Sequence, residues 1–166
     1  MINAQIKKRI LEVLGIICTL LLLGGDHFLP KGIVKVLLLP YVGLCKLFYN
    51  VYFVYDSTYG YVCNTATFAI NKECLGNTFM AMVFVLLFFR FKAHMINQGK
   101  WLGMALVLAI GIGYIVGSVR ILASVPFAGS HFFGLIHGTI GIVLYLGGLI
   151  VVNGIGEWYL RKRGMK

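Results

Sequence analysis

Two long, mostly apolar stretches constrain this chain more than any other feature of its sequence. Trp101–Leu122 and Phe132–Val152 each have about the 20 mostly apolar residues that an α-helix needs to cross a bilayer. Backbone groups within hydrocarbon must be hydrogen-bonded inside the protein, which makes a helix the natural structure for such a stretch. We therefore predict an all-α membrane protein.

The composition points the same way. Of the 166 residues, 60% are hydrophobic and only 12% are charged, and the mean hydropathy is +0.90. Soluble domains carry about 25% charged residues, so this chain cannot cover its surface with polar groups. We expect a single integral membrane domain over residues 1–166.

Three shorter segments extend this prediction to a bundle of about five transmembrane helices. The third segment is continuously apolar only from Phe79, so it must begin near Leu75 to be long enough. The predicted spans are approximately 10–23, 33–48, 75–91, 101–122 and 132–152.

The stretch between the second and third spans is different. Tyr49–Asn71 is rich in Tyr, Thr, Val and Phe and has turn signals at Asp56-Ser57 and Tyr59-Gly60. It predicts a short extracytoplasmic β-hairpin or an aromatic interfacial loop before the third helix.

The basic residues indicate a membrane orientation. The net charge is +10, and the basic residues cluster at the ends of apolar runs, as in cytoplasmic loops that face anionic lipid, so we expect no nucleic-acid partner. Residues 90–100 and 161–166 are two spans apart, so both can be cytoplasmic. The basic cluster at 7–9 then falls on the outer side by counting, which leaves the topology of the N-terminus open.

Three polar positions are difficult to explain as helix packing. Cys74 lies in the polar segment Asn71–Asn77 at a predicted helix start, where a thiolate is stabilised by free N–H groups. Arg120 and His137 lie in or beside apolar stretches, and the predicted orientation places all three at the outer face. A thiol with a base is the minimal nucleophilic set, and a fixed cation stabilises a thiolate or an oxyanion.

Each position also has a structural interpretation. Cys74 could form a disulfide with Cys63, Arg120 could extend to lipid phosphates, and His137 could be a hydrogen-bonded structural group. Cys18 and Cys45 lie in apolar runs, where cysteine is a small hydrophobe. There is no CxxC and no Cys/His spacing typical of zinc, so we expect no metal and no cofactor.

The three sites, in this order and spacing, resemble the signatures of the exosortase/archaeosortase family. Glu73–Gly76 resembles its E-x-C-S-G cysteine motif, Ser118–Ile121 its N-x-x-R-[IV] motif and His137–Gly141 its H-x-x-x-G motif. The resemblance covers roughly residues 49 to 160, and the small size is most similar to the short exosortase K branch.

The resemblance implies a membrane-embedded cysteine transpeptidase or protease with Cys74, Arg120 and His137 as catalytic residues. Its substrates would be exported proteins with a C-terminal tail made of a short motif, a hydrophobic span and a basic end. Cleavage would proceed through a Cys thioester at the outer face of the cell membrane. The alternatives left open are a protease with water as acceptor, and a non-catalytic transporter subunit or assembly factor with a Cys63–Cys74 disulfide.

Overall fold

Helices dominate the computed structural model, which describes residues 2–64, 68–95, 97–162 and 164. The long helices are α1 (Ile2–Phe28), α2 (Lys31–Tyr49), α4 (Gln98–Ser124) and α5 (Phe133–Lys162). A shorter helix, α3 (Asn77–Val85), continues as a π-helical stretch over Leu86–Arg90. A helical protein of membrane type was predicted, and this part of the prediction is confirmed.

Within the described part of the chain, four segments are long and apolar enough to cross a membrane. They are Lys31–Tyr49, Lys72–Arg90, Gln98–Phe127 and Phe133–Lys162. Helix α1 contains the first predicted span but is not one of these four, so the count of five spans stays a prediction.

The aromatic stretch between α2 and α3 forms a three-stranded antiparallel sheet. Its strands are β1 (Phe53–Asp56), β2 (Gly60–Cys63) and β3 (Ala69–Ile70), with β2 in the centre. Phe53 pairs with Cys63 and Tyr61 pairs with Ile70. The extracytoplasmic side of this segment stays a prediction.

The turn between β1 and β2 is stabilised by its own residues. Asp56 Oδ1 accepts hydrogen bonds from the backbone N–H groups of Thr58 and Tyr59, at 2.7 and 2.9 Å. These two bonds favour the carboxylate and hold the pKa of Asp56 below its usual value. Gly60 has a φ of +86°, in the left-handed region that a residue without a Cβ adopts without strain.

The chain divides into two compact units, which are described separately. Unit 1 consists of Met1–Gly25, Asn77–Gly113 and Gly147–Lys166, and unit 2 consists of Asp26–Gly76 and Tyr114–Leu146. Unit 2 therefore contains α2, the sheet, the second half of α4 and the first half of α5.

Tyrosines join α2 to α4 within unit 2. Tyr114 Oη donates to the carbonyl of Leu37 at 2.9 Å, and Tyr49 Oη donates to the carbonyl of Leu122 at 2.7 Å. The rings of Tyr41 and Tyr114 are stacked with centroids 5.2 Å apart. These two hydrogen bonds and the stacked rings fix α4 against the helix that supports the sheet, while the buried Tyr41 Oη has no hydrogen-bond partner among the described residues.

The core of unit 2 lies where α2, the sheet and α4 meet. Its buried members are Leu38, Tyr41, Cys45, Tyr61, Cys63, Phe68, Ile70, Leu75, Ile121 and Ala128. Cys45 is fully buried among these side chains, as expected for a cysteine that acts as a small hydrophobe. The core holds β3 and the segment that follows it in place beside α4.

Candidate active site

Cys74 lies in a short 3₁₀ turn, Lys72–Leu75, which we call the Cys74 turn. Asn71 caps it, because its Oδ1 accepts from the N–H of Glu73 at 3.1 Å, and its carbonyl accepts from the N–H of Cys74 at 3.0 Å. The thiol donates to the same Asn71 Oδ1, with Sγ 3.7 Å away. The thiol is therefore protonated in this arrangement, and the polar segment fixes its position.

The position of the thiol differs in one respect from the sequence prediction. Cys74 was expected directly at the start of the third helix, whose predicted span begins near Leu75, but α3 begins only at Asn77. Gly76, with a φ of +72°, takes a left-handed conformation and separates the Cys74 turn from α3. The thiol therefore lies in the Cys74 turn and outside the first turn of α3.

Arg120 projects from α4 and is held by two side chains of α5. Its Nη1 donates to Tyr145 Oη, and its Nη2 lies 2.8 Å from His137 Nε2. Its Nε is buried and has no hydrogen-bond partner among the described residues. Neither of these two partners is a carboxylate, so they hold the guanidinium in place without forming an ion pair with it.

The hydrogen bonds of His137 determine which ring nitrogen carries the proton. A guanidinium can only donate, so Nε2 must accept from Arg120 and must be unprotonated. Nδ1 lies 2.9 Å from Ser124 Oγ and therefore carries the proton that it donates to the hydroxyl. The tautomer follows from the network, and it describes a neutral imidazole.

The hydrogen bonds of Ser124 agree with this tautomer. Ser124 is 2% exposed, and its hydroxyl donates to the carbonyl of Arg120 at 2.7 Å, one turn earlier on α4. Because its single proton is used in this bond, its oxygen can only accept from His137. A buried serine thus links the backbone at Arg120 to the ring that Arg120 contacts.

The three residues predicted from the sequence line one cavity of about 240 Å³. Cys74 reaches it from the Cys74 turn, Arg120 from α4 and His137 from α5. Phe68 and Phe133 form an aromatic wall, and the ring of Phe133 lies 5.7 Å from that of His137. The structure therefore brings the three groups together, whereas their catalytic roles stay predictions.

Sequence reasoning missed Ser124 and Tyr145 as members of this site. The signal was helical spacing: Ser124 follows Arg120 by four positions, and Tyr145 follows His137 by eight, so each pair shares a face of its helix. In an apolar sequence such polar residues could equally have hydrogen-bonded within their own helix, and only tertiary structure distinguishes the two cases.

The spacing of four residues between His137 and Gly141 has a physical reason in the structure. A Cβ at Gly141 would lie 3.2 Å from Cδ and 3.7 Å from Nη1 of Arg120, so the missing side chain makes room for the arginine. Gly117 is similar, because a Cβ there would lie 3.1 Å from Tyr41 Oη and 3.7 Å from the carbonyl oxygen of Cys74. Small residues thus let the guanidinium and the Cys74 turn approach the helices closely.

The site contains a thiol, a neutral imidazole and a fixed cation around a small cavity. These are the groups that acyl transfer through a thioester requires. Cys74 carries a free thiol, so the Cys63–Cys74 disulfide considered above is not formed in this structure. Among the described residues, no group of three or more His, Cys, Asp or Glu side chains is placed to hold a metal ion.

No protein-family model, curated protein or solved structure matches this chain.

Proposed function

We propose that this chain is a membrane-embedded cysteine transpeptidase or protease of the exosortase type. One observation carries the proposal: Cys74, Arg120 and His137, which were selected from sequence motifs alone, line a single cavity. Polar groups in a membrane chain commonly pair with one another, as Arg120 and His137 do, and the cavity adds to this pair the one thiol that the motifs selected. The resemblance to the exosortase motifs gives the reaction class.

The first step is attack on a peptide bond. The thiol of Cys74 adds to the scissile carbonyl while His137 Nε2 takes its proton, and Ser124 stabilises the resulting imidazolium through Nδ1–H. The negative charge that develops on the carbonyl oxygen is stabilised by the guanidinium of Arg120. Arg120 itself cannot be the base, because its guanidinium stays protonated.

The resting hydrogen bonds imply that substrate binding switches Arg120 between partners. His137 Nε2 cannot accept the thiol proton while it accepts from Arg120 Nη2. When a carbonyl oxygen enters the cavity, Nη2 turns to it, and the lone pair of Nε2 becomes available to the thiol. Base and cation are thus activated together and only in the presence of substrate.

The thioester then forms and is resolved. The tetrahedral intermediate collapses, the C–N bond breaks, and the imidazolium returns its proton from Nε2 to the leaving amine. An amine or a water molecule attacks the thioester, His137 Nε2 accepts its proton, and the thiol of Cys74 is regenerated. Amine attack gives transfer, and water attack gives hydrolysis.

The proposed substrate is an exported protein with a C-terminal motif, a hydrophobic span and a basic end. Its own span would dock beside the helices and make the attack effectively intramolecular. We place the site at the outer face of the cell membrane, in a bundle of about five spans, because the basic segments at 90–100 and 161–166 favour the cytoplasmic side.

The test is covalent trapping on the purified full-length protein. The protein is incubated with a tail-bearing substrate and quenched in acid, and the peptide that carries Cys74 is identified by mass spectrometry. We expect an acyl adduct on Cys74 that is lost in Cys74→Ser and retained in Cys18→Ala. An adduct on another residue, or unchanged processing by Cys74→Ser, would exclude the nucleophile. A Cys63–Cys74 disulfide in the same digest would instead support the non-catalytic alternative.

A further inference from the structure

Unit 1 contains a groove that the proposed reaction does not use. It has a volume of about 580 Å³ and is lined by the first half of α4 and the last part of α5. Along α4 it extends from Lys100 to Ile112, about 18 Å at 1.5 Å per residue. Since the hydrocarbon core of a bilayer is about 30 Å thick, this length corresponds to about one leaflet.

The groove has two chemically different parts. Met104, Leu108 and Ile112 form an apolar wall along α4, whereas Lys100 lies in the first turn of this helix and His94 lies six residues before it. Trp101 follows Lys100 directly, and Trp158 lines the groove from the last turns of α5; tryptophans commonly occupy the interface of a membrane. An apolar channel with a cation and tryptophans at its mouth is complementary to a lipid. The acyl chain would lie in the channel, and the headgroup would lie at its mouth.

The charges of unit 1 favour an anionic ligand. Its two acidic residues are Glu12, which pairs with Lys92 at 2.8 Å, and Glu157, which pairs with Arg90 at 2.9 Å. No other carboxylate side chain of unit 1 is therefore left to neutralise Lys100. A phosphate at the mouth of the groove would supply the missing negative charge.

We propose that this groove binds one acyl chain of an anionic phospholipid, with the phosphate at Lys100. The wall is open to hydrocarbon, because Met104 is 56% exposed and Trp158 is 61% exposed. The side chain of Trp101 is held by a hydrogen bond inside unit 1, because its Nε1 donates to the carbonyl of Leu87 in the π-helical stretch at 3.1 Å. A substrate tail with a basic end is the wrong occupant, because its charge has the same sign as Lys100.

The two tryptophans of the chain both line the groove, so intrinsic fluorescence reports on it directly. The full-length Trp158→Phe protein, in which Trp101 is the sole reporter, is reconstituted in phosphatidylcholine vesicles. The vesicles contain a minor fraction of a lipid with brominated acyl chains, which quench tryptophan fluorescence on contact. In one set of vesicles this lipid is brominated phosphatidylglycerol, and in the other it is brominated phosphatidylcholine. We expect brominated phosphatidylglycerol to quench Trp101 several-fold more than brominated phosphatidylcholine at equal mole fraction.

Two charge variants test the headgroup site. Lys100→Gln should reduce the preference for phosphatidylglycerol about fivefold, as expected for one lysine beside an anionic headgroup. Lys8→Gln removes the same charge from an exposed position of α1 in the same unit, and should leave the preference unchanged. Equal quenching by the two lipids, or equal losses in the two variants, would overturn the proposal.

A groove-filling variant and a competitor test the acyl chain. Leu108→Phe should lower quenching by brominated phosphatidylglycerol, because the larger ring occupies the channel. A synthetic apolar peptide with a basic end should not displace the brominated lipid. Displacement by this peptide would assign the groove to a substrate tail instead. None of these measurements depends on peptide processing, so they can fail while the proposed function stands.

Discussion

Arg120 Nη2 lies 2.8 Å from His137 Nε2, and this contact defines the resting state of the candidate site. A guanidinium has no acceptor, so the imidazole is neutral and its basic nitrogen is occupied. The thiol of Cys74 meanwhile donates to Asn71 rather than to a base. In the mechanism proposed above, the site would stay inactive until a substrate carbonyl replaced His137 as the partner of Arg120 Nη2.

Replacing Arg120 by lysine should impair processing strongly. The guanidinium contacts Tyr145 and His137 with separate nitrogens, whereas a lysine has one ammonium group and cannot keep this geometry. We expect Arg120→Lys to lower the processing rate by about 10²–10³-fold, the usual loss for an oxyanion donor. Arg90→Lys, at an exposed ion pair with Glu157, is the matched control and should be close to wild type. Full activity in Arg120→Lys would show that charge alone suffices.

Replacing Ser124 by alanine should remove the hydrogen bond that holds the His137 ring at Nδ1. The ring then loses its acceptor at Nδ1, and we expect the processing rate to fall about tenfold, the equivalent of one buried hydrogen bond. ¹⁵N and ¹H chemical shifts of the imidazole should show that Nδ1–H has lost its hydrogen bond, while Nε2, which still accepts from Arg120, stays unprotonated.

Ser118→Ala is the control for this variant. Ser118 lies on the same helix and donates to the carbonyl of Tyr114 at 2.7 Å, the same bond that Ser124 makes to Arg120. It contacts no imidazole in the described hydrogen bonds, so its loss should leave the His137 spectrum unchanged. Identical effects of the two variants would mean that Ser124 acts only on the helix.

A methyl group at Gly141 should disturb Arg120 without unfolding the protein. The added carbon would lie 3.2 Å from Arg120 Cδ, so the side chain must move by a few tenths of an ångström. Catalytic geometry is sensitive to displacements of this order, and we expect about a tenfold loss of processing rate. Gly138→Ala, one turn earlier with no atom within 4 Å, should be silent in the same assay. Wild-type activity in Gly141→Ala would disprove the proposed steric role.

Gly60 should be needed for the sheet that leads to the Cys74 turn. Its φ of +86° disfavours a side chain, and a Cβ would lie 2.5 Å from the carbonyl oxygen of Ile70 on β3. We expect Gly60→Ala to reduce the free energy of unfolding by about 1–3 kcal/mol, measured by thermal unfolding in detergent.

Gly129→Ala tests whether that loss is specific to Gly60. Gly129 lies in the same unit, and no atom would come within 4 Å of a Cβ there. We expect its midpoint of unfolding to stay close to that of the wild type. An equal shift in both variants would attribute the effect to the loss of any glycine.

The sequence by itself determined the class of the protein and the candidate residues. Apolar stretches of spanning length leave few structures besides helices, because hydrocarbon offers no partner to an exposed backbone group. Cys74, Arg120 and His137 were identifiable because polar side chains are costly in such surroundings and need a reason to be there.

Tertiary structure alone decided how these residues meet. The left-handed Gly76 separates Cys74 from α3, and the sequence indicated instead that the thiol would start that helix. The roles of Ser124 and Tyr145 depend on which faces of α4 and α5 turn towards each other within unit 2. In an almost uniformly apolar chain, the sequence does not indicate which face of a helix packs against protein and which faces lipid. Lipid and the protein interior favour the same side chains. The packing of the helices therefore had to be seen before the site could be described.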